Sequence, residues 1–588
     1  MAKNNFELIR PNAYVALRLP SDALIVVHLL PNTTISIGKY GNFQANHVIG
    51  RPFYLTFEVI DKTNISNTSQ TALRVVPATE LYADLRDEDA TTPIETETGR
   101  TVKDQDGVEY DIVGEDGEVV MRTNRTIIDD PNSQIMTMDE IEEMKAQSIG
   151  SGKDLIAKIL ESHSALDQKT AFALAKYTLR KTKKYLKRFT IIPLDVSTLA
   201  RWMFVEKEPM KTMELREEIL SLIGSWSNVH CTPLHTPPLM SENIAKIGGG
   251  RWLVVDETAG LLVAYIAEKM GILHAPERPD QKLENALVLD QEHEAVKGEV
   301  VQDNTEANSS KIPTQNPLRP RKSSTLATTN TITLIHANAQ PNLSLLKYFH
   351  FDAFNPSSLH PLERHLKILS WLQLVAPEDD ACCTEPEHVS EEVLQGWKSG
   401  KRSNHFRKRR RWERMKSIVD ETRAGGFDGL IIASVMNPVS ILRHTVPLLR
   451  GAAQVVVYSP TIESLIELSD CYSTGRRTAF VQNPPDPGLM PTEDFPINPT
   501  LLLAPTIHTA RCRSWQALPG RTHPLMTGRG GSEGYIFTAT RVLPAEGKIE
   551  ARGKFKRRKV DARRSTRASS SLAETPASVA GELIESDV

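Results

Sequence analysis

The residues best placed for chemistry are two carboxylates on a turn. Asp256-Glu257-Thr258-Ala259-Gly260 joins the apolar run Trp252–Val255 to Leu261–Met270, which carries the apolar spacing of a helix packed on a sheet. That pattern is a buried parallel strand, a tight turn and a helix, the frame of a nucleotide-type cofactor loop. Carboxylates in such a loop can bind a ribose. A loop that takes S-adenosylmethionine or a dinucleotide also needs several glycines, because backbone must approach the ligand closely and adopt left-handed angles. Here one glycine, Gly260, is followed at once by Leu261 and Leu262. A ligand would meet side chains where it needs bare backbone. Asp256 and Glu257 therefore read as a turn and a helix-start charge, and the segment predicts no cofactor in this chain.

Other candidate chemistry is sparser. His508, Cys512 and His523 lie near one another in sequence without a carboxylate partner or metal spacing. The five cysteines are scattered and form no zinc-type pair, so the expectation is a reduced, intracellular chain without a metal centre. Gly528, Gly530, Gly531 and Gly534 precede the strand Tyr535–Thr538. A phosphate loop follows a strand and opens a helix, so these glycines read as a hairpin turn. Gly38, Gly41 and Gly50 read as turns, with Arg51 placed to face a partner or tRNA.

Positive charge is the stronger signal. The net charge of −3 hides segregation, with acidic residues crowding 80–118 and basic ones crowding 176–188, 401–411 and 551–567. Lys176, Arg180, Lys181, Lys183, Lys184, Lys187 and Arg188 gather at the end of a helix with Tyr177 and Tyr185 among them. Lys401, Arg402, Arg407, Lys408, Arg409, Arg410 and Arg411 precede Trp412, which reads as a packing anchor. Such clusters neutralise phosphates with little regard to sequence, as recognition of RNA by shape requires. Arg409–Arg411 suits either an RNA backbone or a nuclear import signal. The tail's Lys554–Lys559 reads first as an import signal and second as an RNA-binding arm.

The elements that would position these residues form two domains. Residues 1–130 alternate as short strands (Ala13–Leu19, Leu24–Leu30, Thr33–Ile37, Tyr54–Ile60, Ala72–Val76) and predict a small β-barrel. An acidic insertion at about 83–118 interrupts it, and Val119–Ile128 reads as a further strand. Residues 134–189 predict a helical linker, opened by a Thr137-x-x-Glu140 capping box and ending in the first basic cluster. From Thr190 to about 547 strands alternate with helices, as in a doubly wound Rossmann-like sheet. Thr331–His336, Gly429–Ser434 and Val455–Tyr458 are its strands, with polar, non-periodic insertions at about 276–328 and 378–405. A basic tail, 548–588, follows. No apolar run is long enough to span a bilayer, and the first residues have no secretory core.

Several segments together resemble one family, the non-catalytic subunit of the eukaryotic tRNA adenine N1-methyltransferase that acts on the T-loop adenine at position 58 of tRNA. They are SIGKYGNFQANHVIGRPFYLTFEV, TAGLLVAYIAEKMG, RRWERM, FDGLIIASVMNPVSILRHTVPLL, VVVYSP and SWQALPGRTHPLMTGRGGSEGYIFTATRV, in the family's order and across most of the chain. The resemblance implies a small β-barrel before a degenerate methyltransferase fold. It also implies a heterotetramer, two chains of each kind, in which a catalytic partner binds S-adenosylmethionine and this chain contributes to tRNA binding. Catalytic relatives carry an aspartate after their fourth strand, in a segment resembling LDLPAPW. Here that stretch holds Ser434-Val435-Met436, with no base to take a proton from a methylated adenine. The expectation is a nuclear, tRNA-binding scaffold without catalytic residues. Its rivals are an active methyltransferase with an unusual loop and an RNA-binding scaffold that works without a partner.

Overall fold

The computed structural model describes residues 8–62, 70–81, 112–113, 119–121, 134–147, 152–164, 171–231, 249–274, 329–355, 360–387, 389–486, 488, 490–518, 521–525 and 531–543. Most of the acidic insertion, the whole of 276–328 and the basic tail lie outside them.

Strands β1 (Tyr14–Arg18), β2 (Leu24–His28), β3 (Thr34–Ser36), β4 (Asn42–Gln44), β5 (Thr56–Lys62) and β6 (Gln70–Val75) open the chain. A short β7–β8 hairpin (Ile112–Val113 with Val119–Met121) follows, so Val119–Met121 pairs there and not with the first strands. The first domain is an antiparallel sheet of order β2-β1-β9-β5-β6. Its central strand, β9 (Arg188–Pro193), comes from beyond the helical linker. The boundary expected at 189/190 therefore falls inside a strand of the first domain. Phe189 and Ile191 are buried on alternate positions of β9, which is strand periodicity, but six residues do not say which sheet they join. Phe189 stacks on Phe43 and Phe57, with centroids 4.8 and 5.6 Å apart, so the β3–β4 hairpin closes over the same core.

The linker holds helices α1 (Met138–Gln147), α2 (Lys153–Glu161) and α3 (Ala171–Tyr185). Its capping box forms: Glu140 N donates to Thr137 Oγ1 at 3.3 Å, and Thr137 N donates to Glu140 Oε2 at 2.9 Å. An ion-pair network ties the linker to the sheet. Buried Arg188 donates from Nε to buried Glu58 at 2.9 Å and pairs with Glu80. Arg74 bonds both carboxylates, and Lys153 reaches Glu80 at 3.1 Å. The hydrogen bond from Arg74, seconded by the charges of Lys153 and Arg188, holds the Glu80 carboxyl down at about 2.

The second domain continues with α4 (Val196–Val205), α5 (Glu217–Trp226), β10 (Arg251–Asp256), α6 (Leu261–Lys269), β11 (Thr331–His336) and β12 (Leu366–Ser370). Then come α7 (Ser399–Arg423), β13 (Phe427–Ala433), α8 (Pro438–Thr445), β14 (Leu449–Ser459), α9 (Glu463–Cys471) and α10 (Thr474–Gln482). It ends with β15 (Leu502–His508), the hairpin β16–β17 (Trp515–Leu518 with Arg521–Pro524) and β18 (Tyr535–Arg541). Seven strands pair in the order β12-β11-β10-β13-β14-β18-β15. The first five are parallel, and β18 runs antiparallel to both of its neighbours. Every residue of β10 and β13 is buried, as central strands covered on both faces must be. Trp252 and Val254 enter one core, Leu253 and Val255 the other.

Residues 378–405 differ from expectation. Nearly all are described, with short turns at Pro377–Asp379 and Glu391–Gln395, and α7 starts at Ser399, well before the RRWERM segment. Only Val419 and Thr422 of α7 are buried. A solvent-surrounded helix shows no apolar period, so a charged helix and a charged loop look alike in sequence.

Candidate functional site

In an open α/β sheet the ligand crevice lies beyond the carboxyl ends of the strands, where the strand order reverses. Here that point is between β10 and β13, and the turn after β10 is built to close it. Asp256 is buried, and its Oδ1 accepts from Thr258 N (2.7 Å) and Thr258 Oγ1 (2.6 Å). Its Oδ2 accepts from Val263 N at 3.0 Å, and Thr258 Oγ1 accepts from Leu262 N at 3.1 Å. Leu261 N bonds Thr258 O at 3.2 Å and Ala264 N bonds Gly260 O at 2.9 Å. All four of the first amides of α6, the groups a helix start usually leaves for a ligand, are thus taken by the chain itself. Burial pushes the Asp256 carboxyl above its ordinary value, against the pull of those hydrogen bonds.

The space in front of the turn is filled as well. Ala259 and Gly260 both have positive φ, 59° and 88°, the backbone shape a cofactor loop needs. A side chain at Gly260 would nevertheless meet Leu343 Cα at 3.1 Å, and Leu345 N donates to Ala259 O at 3.1 Å. Leu343 and Leu345 are buried there with Leu261 and Leu262. Glu257 closes the other lip. Its Oε2 accepts from Ser434 Oγ (2.9 Å) and Val435 N (2.7 Å), and its own N donates to Ala433 O at 2.9 Å, fastening the end of β10 to the end of β13. At the end of β11, where a carboxylate would hold a ribose, stands His336. Burial lowers its pKa, and its Nδ1 faces Asn338 O at 2.7 Å. Among the described residues the first four amides of α6 are taken, Leu343 and Leu345 fill the space before the turn, and no carboxylate stands at the end of β11 to hold a ribose. The group a methyltransferase crevice would hold is S-adenosylmethionine. The residues do not fit that group. Nor do Ser434, the exposed Val435 or Met436 supply a base.

The basic candidates separate into exposed and structural. On α3, Arg180 and Lys184 are exposed, and Lys176 lies half-buried 5.7 Å from the Phe172 ring. Lys181 lies 4.8 Å over Tyr177, and burial lowers its pKa. Lys183 pairs with Asp22 at 3.1 Å, and Lys187 is half-buried at the entry to β9. Arg188 does not belong with them. It is 4% exposed and committed to Glu58 and Glu80, so it holds the first domain together instead of facing RNA. Tyr185 is packed into the small linker core, and Tyr177 donates to Gln134 at 3.0 Å, so neither offers a free ring. The edge contact of Phe172 with His523, 6.5 Å between centroids, sets α3 beside the β16–β17 hairpin.

On α7, Arg407, Lys408, Arg409, Arg410 and Arg411 are all exposed. Trp412 anchors the helix by donating from Nε1 to Cys383 O at 3.0 Å. Arg402, Phe406, Arg409 and Arg410 share one outward face, on a helix about 37 Å long by the usual rise. Because α7 packs at the β12 edge while the β16–β17 hairpin follows β15, the opposite edge, the fold keeps the two basic clusters apart.

A model of the Gcd10p family matches residues 8–398, from the first sheet through β12. The tRNA (adenine(58)-N(1))-methyltransferase non-catalytic subunit trm6 of Aspergillus fumigatus is 48% identical over 579 residues, 94% of this chain and 95% of that one. The chain belongs to the Gcd10p family. A relative of the same description from Aspergillus oryzae is 46% identical over 94% of this chain and 95% of its own length. One from Schizosaccharomyces pombe is 28% identical, with the same two shares covered. Among solved structures, tRNA (m1A58) methyltransferase TrmI from Aquifex aeolicus aligns with a TM-score of 0.34 at 9% identity, covering 91% of this chain and 100% of that one.

Proposed function

We propose that this chain is the non-catalytic, tRNA-binding and scaffolding subunit of a nuclear tRNA adenine N1-methyltransferase acting at position 58. A catalytic partner supplies S-adenosylmethionine and the base, two chains of each kind assemble, and this chain supplies cationic surface for tRNA. The observation that carries the reading is the turn after β10, where Asp256 and Thr258 consume the first amides of α6 and Glu257 fastens the crevice shut. The same geometry weighs against an active methyltransferase with an unusual loop. The relatives' descriptions favour a partnered subunit over a free RNA scaffold.

Methyl transfer from labelled S-adenosylmethionine to unmodified tRNA tests the reading, with this chain alone, the catalytic subunit alone and the two co-expressed. Full activity is expected only in the pair. Activity from this chain alone would refute the non-catalytic assignment, and equal activity from the catalytic subunit alone would remove the need for a scaffold.

A further inference from the structure

Charge clusters are visible in sequence; an isolated aromatic held out by its backbone is not. Tyr54 is 68% exposed and has φ 66°. A bulky side chain in the left-handed region is disfavoured, since its Cβ crowds the neighbouring carbonyl. Nothing local relaxes the strain, because Tyr54 N donates to Ile191 O at 2.7 Å and Ile191 N returns to Leu55 O at 3.3 Å. With two-thirds of the residue exposed, little packing offsets this conformation. Among the described residues its hydroxyl has no hydrogen-bond partner and its face no aromatic or cationic neighbour. Strain that persists at an exposed side chain points to a use for that side chain.

The surroundings say what kind of use. From Ala23 to Phe57 the chain has no Asp or Glu. The flanking carboxylates are engaged, Asp22 with Lys183 and Glu58 in the buried network. The exposed side chains of this stretch include Lys39, His47 and Arg51. Arg51 Nε donates to His47 O at 2.7 Å, which fixes the guanidinium, while its two terminal nitrogens carry no hydrogen bond among the described residues. An exposed ring fixed by its backbone, three residues from an oriented guanidinium in a stretch of chain without carboxylates, combines what proteins use to stack an unpaired base and hold a phosphate near it. Resting on the tRNA-binding reading above, we infer that Tyr54 is a stacking platform for an unpaired base of the tRNA and that Arg51 holds its backbone. The first domain thereby becomes a third RNA surface, one that the basic clusters do not mark.

The test uses the complex with the catalytic subunit and two probes, an unmodified tRNA transcript and a blunt RNA duplex of equal length. Tyr54→Ala should weaken tRNA binding roughly 5- to 100-fold, the range that loss of one stacked base allows. It should leave duplex binding within about twofold, since paired bases offer no free face. Tyr54→Phe should bind tRNA like the wild type. Tyr54→Gly should weaken tRNA binding as Tyr54→Ala does while matching or exceeding the wild-type thermal midpoint, because glycine accepts this φ without strain. Wild-type affinity in Tyr54→Ala would overturn the inference, as would equal losses on both probes. Failure of Tyr54→Ala to co-purify with the catalytic subunit would also overturn it, since the ring would then be a protein contact. A wild-type complex that binds no tRNA would instead refute the tRNA-binding reading itself.

Discussion

Replacing Arg188 with alanine is expected to destabilise the first domain by about 3–5 kcal/mol, the penalty for stranding one partner of a buried ion pair. Arg188 and Glu58 are 5% and 3% exposed at the side chain, so truncation leaves the Glu58 carboxylate buried with only the Arg74 fork. Because β9 is the central strand of that sheet, the loss should spread to β1 and β5, which pair with it on either side. Amide hydrogen exchange reads this directly: protection in β1, β5 and β9 should fall together while β10 and β13 keep theirs. Any loss of tRNA affinity should then track unfolding and recover on cooling. A variant with native protection but weakened tRNA binding would return Arg188 to the RNA surface.

The second large effect is expected on α7. Arg402, Arg409 and Arg410 are exposed on its outward face, and glutamine has nearly the same helix propensity as arginine, so the triple change to glutamine should leave the fold intact. If these side chains neutralise phosphates, tRNA affinity of the complex should fall roughly 10- to 100-fold near 0.1 M salt. The slope of log K against log salt should flatten by about two to three, since each phosphate contact contributes about 0.7–0.9. Filter binding across a salt series gives both numbers. Unchanged affinity and slope would leave α7 to the import-signal reading.

What the sequence reveals follows the reach of each interaction. The degenerate loop is legible because its signal is local: one glycine, then two leucines, after a continuous apolar strand. The second lock is not legible, since Glu257 meets Ser434 and Val435 nearly 180 residues away. The same holds for Arg188, whose partner Glu58 is 130 residues distant. In sequence it continues a run of lysines; in the fold it is core. The early start of α7 escapes notice because periodicity reports burial, and most of that helix buries nothing. Conversely, β10 and β13 are plain because their burial on both faces writes an unbroken apolar run.

By the contacts of Asp256, Thr258 and Glu257 this chain's crevice is closed to S-adenosylmethionine. Equilibrium dialysis of the labelled cofactor tests it most directly, using this chain alone and the co-purified pair. The chain alone should retain no cofactor, and the pair should retain one per catalytic subunit. Close to one equivalent on the isolated chain would mean that the contacts of Asp256, Thr258 and Glu257 open to admit the ligand and that the crevice is not closed.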